Sequence, residues 1–327
     1  MSDPQRIGPY RITSRLGSGG MGWVYLGRSP SGRAVAVKVV RPEFADDPQF
    51  RQRFAREVSA ARAVSGAFTA AVVDADPEAD PPWLATVYIP GPSLWEAVQM
   101  HGPLPESQVR LLGVGLVEAL QAIHAAQLVH RDLKPANVLL AEDGPRVIDF
   151  GISRGDGLVT ITRPGAIIGT PSYMSPEQVR GEQTGPASDV FALGAVLAFA
   201  ATGAPPFGET GIEVVLARVL QEAPVLDRLS GELSGVLTWC MSKDPGIRPS
   251  LDVLLRAFLD PLEQDESIVP WPEDVAESIR VRAAEAKALP SREGAAAPRS
   301  LLLHAQALLA AGLTDRMVIE AVSGGRR

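Results

Sequence analysis

With 327 residues, of which 46% are hydrophobic and 21% charged, the chain is long enough for a two-lobed enzyme with an appendage, and its composition excludes disorder throughout. A formal net charge of −7 offers no basic face for nucleic acid or anionic lipid, so neither is expected as a partner. Cys240 is the one cysteine and leaves no internal disulfide, and the opening MSDPQRIGPY has no apolar stretch of the secretory kind, so a cytoplasmic location is expected.

From Tyr10 to Val40 the pattern is strand, glycine turn, strand, a second turn at Ser29 to Gly32, and then the β-branched run Ala34 to Val40, which predicts an antiparallel sheet. Asp47 to Val64 carries Phe50, Phe54, Val58 and Ala61 at helical spacing behind an acidic start, so one long helix follows three strands. Short strands around Ala70 to Asp74 and Pro82 to Tyr88 complete the sheet, and Pro90-Gly91-Pro92 then breaks the chain. Beyond it helices dominate. Leu112, Leu116, Leu120 and Ile123 share one face, and Ser188 to Thr202 is apolar nearly all round, as a helix buried in a large domain is. The tract from Pro261 to Pro272 is acidic and proline-punctuated, and Pro290 to Pro298 reads as an alanine-rich linker. Val275, Ile279, Ala283 and Ala286 form a weak apolar stripe, and Leu301, Leu302, Ala305, Leu308 and Leu309 a stronger one. No apolar run approaches the roughly 18 residues of a membrane span.

Gly17-Ser18-Gly19-Gly20-Met21-Gly22 lies between two strands, where glycines let main-chain amides approach phosphates closely. A dinucleotide-binding glycine motif is followed by a helix, whereas here the strand Trp23 to Gly27 follows. Alone, the motif is equally a tight turn. Lys38 ends Val35-Ala36-Val37-Lys38, and the alternation of that strand aims it at the side of the glycine turn. A strand-end surface lysine is the simpler reading of Lys38 by itself; the helix carrying Glu57 supplies the opposite charge that a buried lysine needs.

His130-Arg131-Asp132-Leu133-Lys134-Pro135-Ala136-Asn137 places a carboxylate, an amine and a carboxamide on one short loop between an apolar helix and Val138-Leu139-Leu140. It is similar to the H-R-D-L-x-x-x-N catalytic loop of protein kinases, and Asp149-Phe150-Gly151, which begins twelve residues after Asn137, resembles their metal-binding motif. The resemblance, to bacterial Hanks-type serine/threonine protein kinases, runs from about residue 8 to residue 260. It implies an α+β bilobal fold, with a β-rich N-lobe carrying one long helix at 8–88, a mostly helical C-lobe at 89–263, and a linker with a helical C-terminal extension at 264–327.

The same resemblance implies residue roles. Gly17, Gly19 and Gly22 cover the phosphates of ATP, and Lys38, paired with Glu57, contacts the α- and β-phosphates. Asn137 and Asp149 hold Mg2+, with Mn2+ as an alternative. Asp132 takes the proton of the substrate hydroxyl and Lys134 neutralises the transferred group. Leu16, Val24, Ala36 and Leu139 enclose the adenine, residues that are equally plain core. Thr86 stands at the gatekeeper position, and the main chain of Val87 and Ile89 bonds the adenine edge. Lys134 and Thr170 resemble serine/threonine rather than tyrosine kinases, so protein serine and threonine hydroxyls are the expected acceptors. Glu177 in Ser175-Pro176-Glu177 is expected to pair with Arg248, Asp189 to anchor the catalytic loop, and Thr160 and Thr162 to be autophosphorylated. A kinase-shaped scaffold without catalysis is the alternative, though its usual mark, a missing catalytic residue, is not found in this sequence. The Leu301 to Leu309 stripe is expected to dock on the large lobe or else to join two copies in a homodimer.

Overall fold

A computed structural model describes residues 3–19, 21–64, 66–150, 171–227, 229–262 and 269–288. The chain divides into two compact units, the first drawn from Met1–Gln52, Val72–Tyr88 and Ala284–Arg327, the second from Arg53–Ala71 and Ile89–Ala283.

In the first unit, β1 (Arg6–Ile7), β2 (Tyr10–Gly19), β3 (Gly22–Arg28) and β4 (Ala34–Val40) precede the short helix α1 (Pro42–Ala45) and the helix α2 (Pro48–Ala63). α2 continues into the second unit. β5 (Val72–Asp76) and β6 (Trp83–Val87) then complete an antiparallel sheet of order β1-β2-β3-β4-β6-β5. The period of two decides its faces. Val35, Val37 and Val39 are buried with Tyr10, Tyr25 and Trp83, while Ala34, Ala36 and Lys38 on the other face stay partly exposed. Tyr10 meets Trp83 edge to face at 5.7 Å, the arrangement that ring quadrupoles favour. β1 was not expected, because two residues paired as Arg6↔Arg11 and Ile7↔Tyr10 carry no periodic signal.

The second unit is built on helices. α3 (Leu94–His101) and α4 (Glu106–Ala125) lead to the hairpin of β7 (Val138–Ala141) and β8 (Gly144–Val147), and α5 (Pro176–Arg180), α6 (Pro186–Thr202), α7 (Ile212–Gln221), α8 (Gly231–Cys240) and α9 (Leu251–Leu259) follow. Leu112, Leu116, Leu120 and Ile123 of α4 are fully buried where α4 packs on α6 and α9, each contributing about 1.5–3 kcal/mol. α6 buries every side chain from Ser188 to Ala200, as its uniform apolarity foretold.

A last helix, α10 (Glu273–Ala288), lies beyond the expected large lobe. Its weak stripe is real, since Val275, Ile279 and Ala286 are buried. Within the second unit, Trp271 donates its indole N–H to Ala141 O at 2.6 Å, and Arg282 pairs with both carboxylate oxygens of Glu96 at 3.2 and 3.0 Å. Glu96 also closes the capping box of α3 by accepting from the Ser93 N–H. The Leu301 to Leu309 stripe lies outside the described residues.

Gly91 shows why the Pro90-Gly91-Pro92 break needs a glycine. A Cβ placed there would stand 1.8 Å from the carbonyl oxygen of Leu140, whose N–H donates to Pro92 O at 2.8 Å. Gly91→Ala is therefore expected to force the main chains apart and to destabilise the protein by about 1–3 kcal/mol, read as a lowered urea midpoint; an unchanged midpoint would count against this close approach.

Candidate active site

In the first unit, the strand-to-strand register assembles one face. Gly17 is opposite Val24, Gly19 opposite Gly22, and Val24 opposite Lys38. Leu16 and Leu26 form a buried pair against which Val24, Ala34, Ala36 and Tyr88 pack, so three of the four apolar residues expected around adenine meet. Lys38 shares their face of β4. Thr86 is opposite Ala36, and Val87, opposite Val35, closes β6. Gly22 permits this tight return of the chain, because a Cβ there would stand 2.0 Å from Val39 O.

The second unit holds the other candidates. Glu57 lies on α2 beside buried Phe54, Val58 and Ala61. Leu139 is buried in β7 and bridged to Ser93, and Ile89 begins the second stretch of chain in this unit. In the loop before β7, Lys134 Nζ is 3.0 Å from Asp132 Oδ2, and the Asn137 amide donates to Asp132 O at 2.8 Å. The β7–β8 hairpin pairs Val138 with Val147, and Ile148 N–H donates to Asn137 O at 3.0 Å. This brings Asp149, the next residue, to the same open end of the hairpin as Asn137. Asp149 and Arg131 both adopt positive φ, 58° and 64°, a conformation that costs residues other than glycine energy and that occurs at functional sites.

Asp189 holds the loop from below. Its carboxylate accepts from His130 N–H at 2.8 Å, Arg131 N–H at 2.9 Å and His124 Nε2 at 2.7 Å, which satisfies a charge that is 1% exposed and would otherwise be costly to bury. The anchor expected from the sequence is thus found, with His124 as an unforeseen partner. Burial lowers the pKa of His130 below its ordinary value, against the opposing pull of Asp189, Asp132 and Asp149. The neutral ring fits both of its contacts in one tautomer, with Nε2–H donating to Ile148 O at 3.2 Å and Nδ1 accepting from Asp132 N–H at 3.3 Å.

Glu177 and Arg248 form the expected pair, bidentate at 2.7 and 2.8 Å. Burial pushes the Glu177 carboxyl up, but hydrogen bonds from Arg248 and Ser188 more than offset it and hold its pKa at about 2. Ser175 has its own local reason: it is the N-cap of α5 in a reciprocal box with Gln178. Gln178, which sequence reasoning missed, donates to Arg131 O at 2.8 Å and so ties α5 to the catalytic-type loop. Its only sequence signal is the S-x-x-Q spacing of a capping box. Thr160, Thr162, Gly151 and Thr170 lie outside the described residues.

The donor set suits a hard divalent cation. With its nitrogen committed to Asp132, the Asn137 amide offers oxygen, as does the Asp149 carboxylate. No group of three or more His, Cys, Asp or Glu side chains that would cage a metal occurs among the described residues. Two oxygen-bearing side chains match a cation that completes its shell with water and phosphate oxygens.

Residues 10–258 match the protein kinase domain family. The chain is 56% identical over 270 residues to the probable serine/threonine-protein kinase PkwA of Thermomonospora curvata, covering 83% of this chain and 36% of that protein. It is 57% identical over 251 residues to the serine/threonine-protein kinase AfsK of Streptomyces coelicolor, covering 76% and 31%. It thus spans about a third of the length of these relatives. The crystal structure of the Mycobacterium tuberculosis PknI kinase domain superposes with a TM-score of 0.63 at 28% identity, covering 81% of this chain and 99% of that one.

Proposed function

The chain belongs to the protein kinase family, and from that membership we propose that it transfers the γ-phosphoryl group of ATP to serine and threonine hydroxyls of proteins in bacterial signalling. The observation that carries this reading is the cluster of Asp132, Lys134 and Asn137, joined at 3.0 and 2.8 Å, beside Asp149. A carboxylate, an amine and two oxygen ligands are the parts that phosphoryl transfer requires of a protein, since the step is dominated by positioning and charge neutralisation.

Asp132 accepts the hydroxyl proton as the substrate oxygen bonds to the γ-phosphorus and the bond from phosphorus to the oxygen of ADP breaks. Lys134, already beside that carboxylate, neutralises the phosphoryl oxygens. Members of the family use ATP and a divalent cation; here Asn137 and Asp149 would hold Mg2+, with Mn2+ as an alternative, and the bound cation would offset phosphate charge. Gly17, Gly19 and Gly22 cover the phosphates. Lys38, paired with Glu57, bonds the α- and β-phosphates, while Leu16, Val24, Ala36 and Leu139 enclose the adenine and the main chain of Val87 and Ile89 bonds its edge. In this reading 8–88 is the N-lobe, 89–263 the C-lobe and 264–327 an extension.

No helix among the described residues is long and apolar enough to cross a membrane; the cytoplasmic site of action is part of the kinase reading. Incubation with magnesium-ATP followed by phosphosite mapping tests the function. Phosphoserine or phosphothreonine should appear on the chain or on an added protein acceptor; a chain that binds ATP but transfers nothing would favour the scaffold alternative.

Thr160 and Thr162 are the proposed autophosphorylation sites. Each phosphate adds about −1.5 to −2 charge and recruits arginine. Replacing both with alanine is expected to lower activity by roughly tenfold, the equivalent of one charge-assisted hydrogen bond. Unchanged activity together with unchanged phosphate incorporation would sink this assignment.

A further inference from the structure

Arg41, the first residue after β4, has no part in the scheme above, yet it touches both arms of the glycine turn. Its main-chain N–H donates to Met21 O at 2.9 Å, and its guanidinium Nη2 donates to Gly19 O at 3.1 Å. The same guanidinium lies over the Trp23 ring, 5.3 Å from the centroid, and Nη1 is 3.6 Å from exposed Glu43. Its Nε–H is out of water with no hydrogen-bond partner among the described residues, and the Glu43 contact is long and exposed, so the Gly19 bond and the stack on Trp23 do most to orient the head group. Three contacts, on Gly19, Met21 and Trp23, therefore bracket the tip of the turn.

We propose that Arg41 is a positioning residue for nucleotide phosphates, a planar tie that holds the glycine turn at a fixed height over β4, the strand that bears Lys38. The proposal rests on the kinase reading of the glycine turn and adds to it the residue that sets the turn's place. A glycine-rich turn pays a large ordering entropy when it closes on a ligand, because glycine has the most backbone freedom to lose. A tie anchored on the rigid strand end reduces that loss before the ligand arrives, which is pre-organisation. The anchor is firm: Val40, just before Arg41, is opposite Gly22 in the ladder and donates to Pro82 O at 2.9 Å, and the Arg41 carbonyl accepts the Phe44 and Ala45 N–H groups at the start of α1. The tie needs a flat cation with several donors. Lysine, a point charge on a flexible stem, cannot both lie on Trp23 and bond Gly19.

The test compares the wild-type chain with Arg41→Gln and Arg41→Lys, using ATP, ADP and adenosine as calorimetric probes and steady-state phosphorylation as the kinetic readout. Arg41 is partly exposed and outside the core, so both variants should fold, which their melting curves verify. The expected result is a loss of roughly tenfold in affinity for ATP and ADP in both variants, unchanged affinity for adenosine, and a raised KM for ATP with kcat at saturation little altered. Equal weakening of all three ligands would overturn the proposal, since Arg41 would then act on the whole sheet rather than on the turn. Wild-type behaviour of Arg41→Lys would overturn it in favour of a bare positive charge. ATP affinities that no variant changes would refute Arg41 alone, whereas a wild-type chain that binds no nucleotide would refute the kinase reading and the proposal together.

Discussion

Asp132→Asn is expected to lower phosphoryl transfer by about 10²–10⁴-fold while leaving ATP bound as tightly as before. In the proposed mechanism the substitution removes the proton acceptor. Among the side-chain contacts of Asp132 it alters the Lys134 pair and a long 3.4 Å bond from the Asn137 amide to Oδ2, for which asparagine keeps an acceptor oxygen. The Asn137 amide bonds the main-chain oxygen of Asp132 at 2.8 Å, and the loop hangs from Asp189 through the N–H groups of His130 and Arg131. None of these contacts involves the Asp132 side chain, so the loop should keep its shape. What changes is the charge facing Lys134 Nζ at 3.0 Å. Initial rates with labelled ATP and a protein acceptor, alongside calorimetric ATP binding, give the two readouts. A variant that transfers phosphate at the wild-type rate would remove Asp132 from the chemistry, and loss of both binding and transfer would mean that the loop itself had collapsed.

Arg248→Met should cost the protein about 3–5 kcal/mol of stability, the usual consequence of stranding one member of a buried ion pair. The Glu177 and Arg248 side chains are 5% and 1% exposed, and the guanidinium also donates to Ala187 O at 2.7 Å and Ser242 O at 2.9 Å. Methionine fills much of the space and satisfies none of those acceptors. Replacing both partners, as Glu177→Leu with Arg248→Met, should cost less than Arg248→Met alone, because no buried charge is then left unpaired. Urea unfolding of the wild type, Arg248→Met and the double variant measures the difference, and a double variant less stable than the single would contradict it.

The same pair sets part of the acid response. The Glu177 carboxyl titrates at about 2 in the folded chain against its ordinary 4.5, so the unfolded state binds its proton first as pH falls. Its linkage contribution, about 3 kcal/mol, is whole above pH 4.5 and is lost as pH falls through about 2. The double variant should lack this acid-sensitive component.

Much of the candidate site was legible because its motifs are short and local. His130 to Asn137 is one loop whose residue types are needed side by side, and the alternation Val35-Ala36-Val37-Lys38 puts Lys38 on the opposite face from the buried valines before any contact is known. Other assignments failed to appear for a physical reason. His124 sits on α4 as an ordinary helical polar residue, and only the arrival of Asp189 at 2.7 Å, 65 positions away, makes it part of the loop's support. Gln178 carries a capping signal alone; its bond to Arg131 O depends on where α5 lands.

The C-terminal segment draws the same line. Periodicity over Val275, Ile279, Ala283 and Ala286 was enough to predict a helix, because a repeat of 3.6 residues is a property of neighbours in the chain. That Arg282 on this helix would bury itself against Glu96, 186 positions away, at 3.0 Å was not. Arg41 belongs with it: read in sequence it is one more arginine after a strand, and its bond to Gly19 and stack on Trp23 exist only once β2, β3 and β4 lie side by side. By itself, then, the sequence determined the family, the elements with strong period and the residue types gathered on the loop, all set by short-range order. Only the tertiary structure decided which distant charges are paired and which loops are tied, since burial that makes a pairing obligatory arises when separate elements exclude water together.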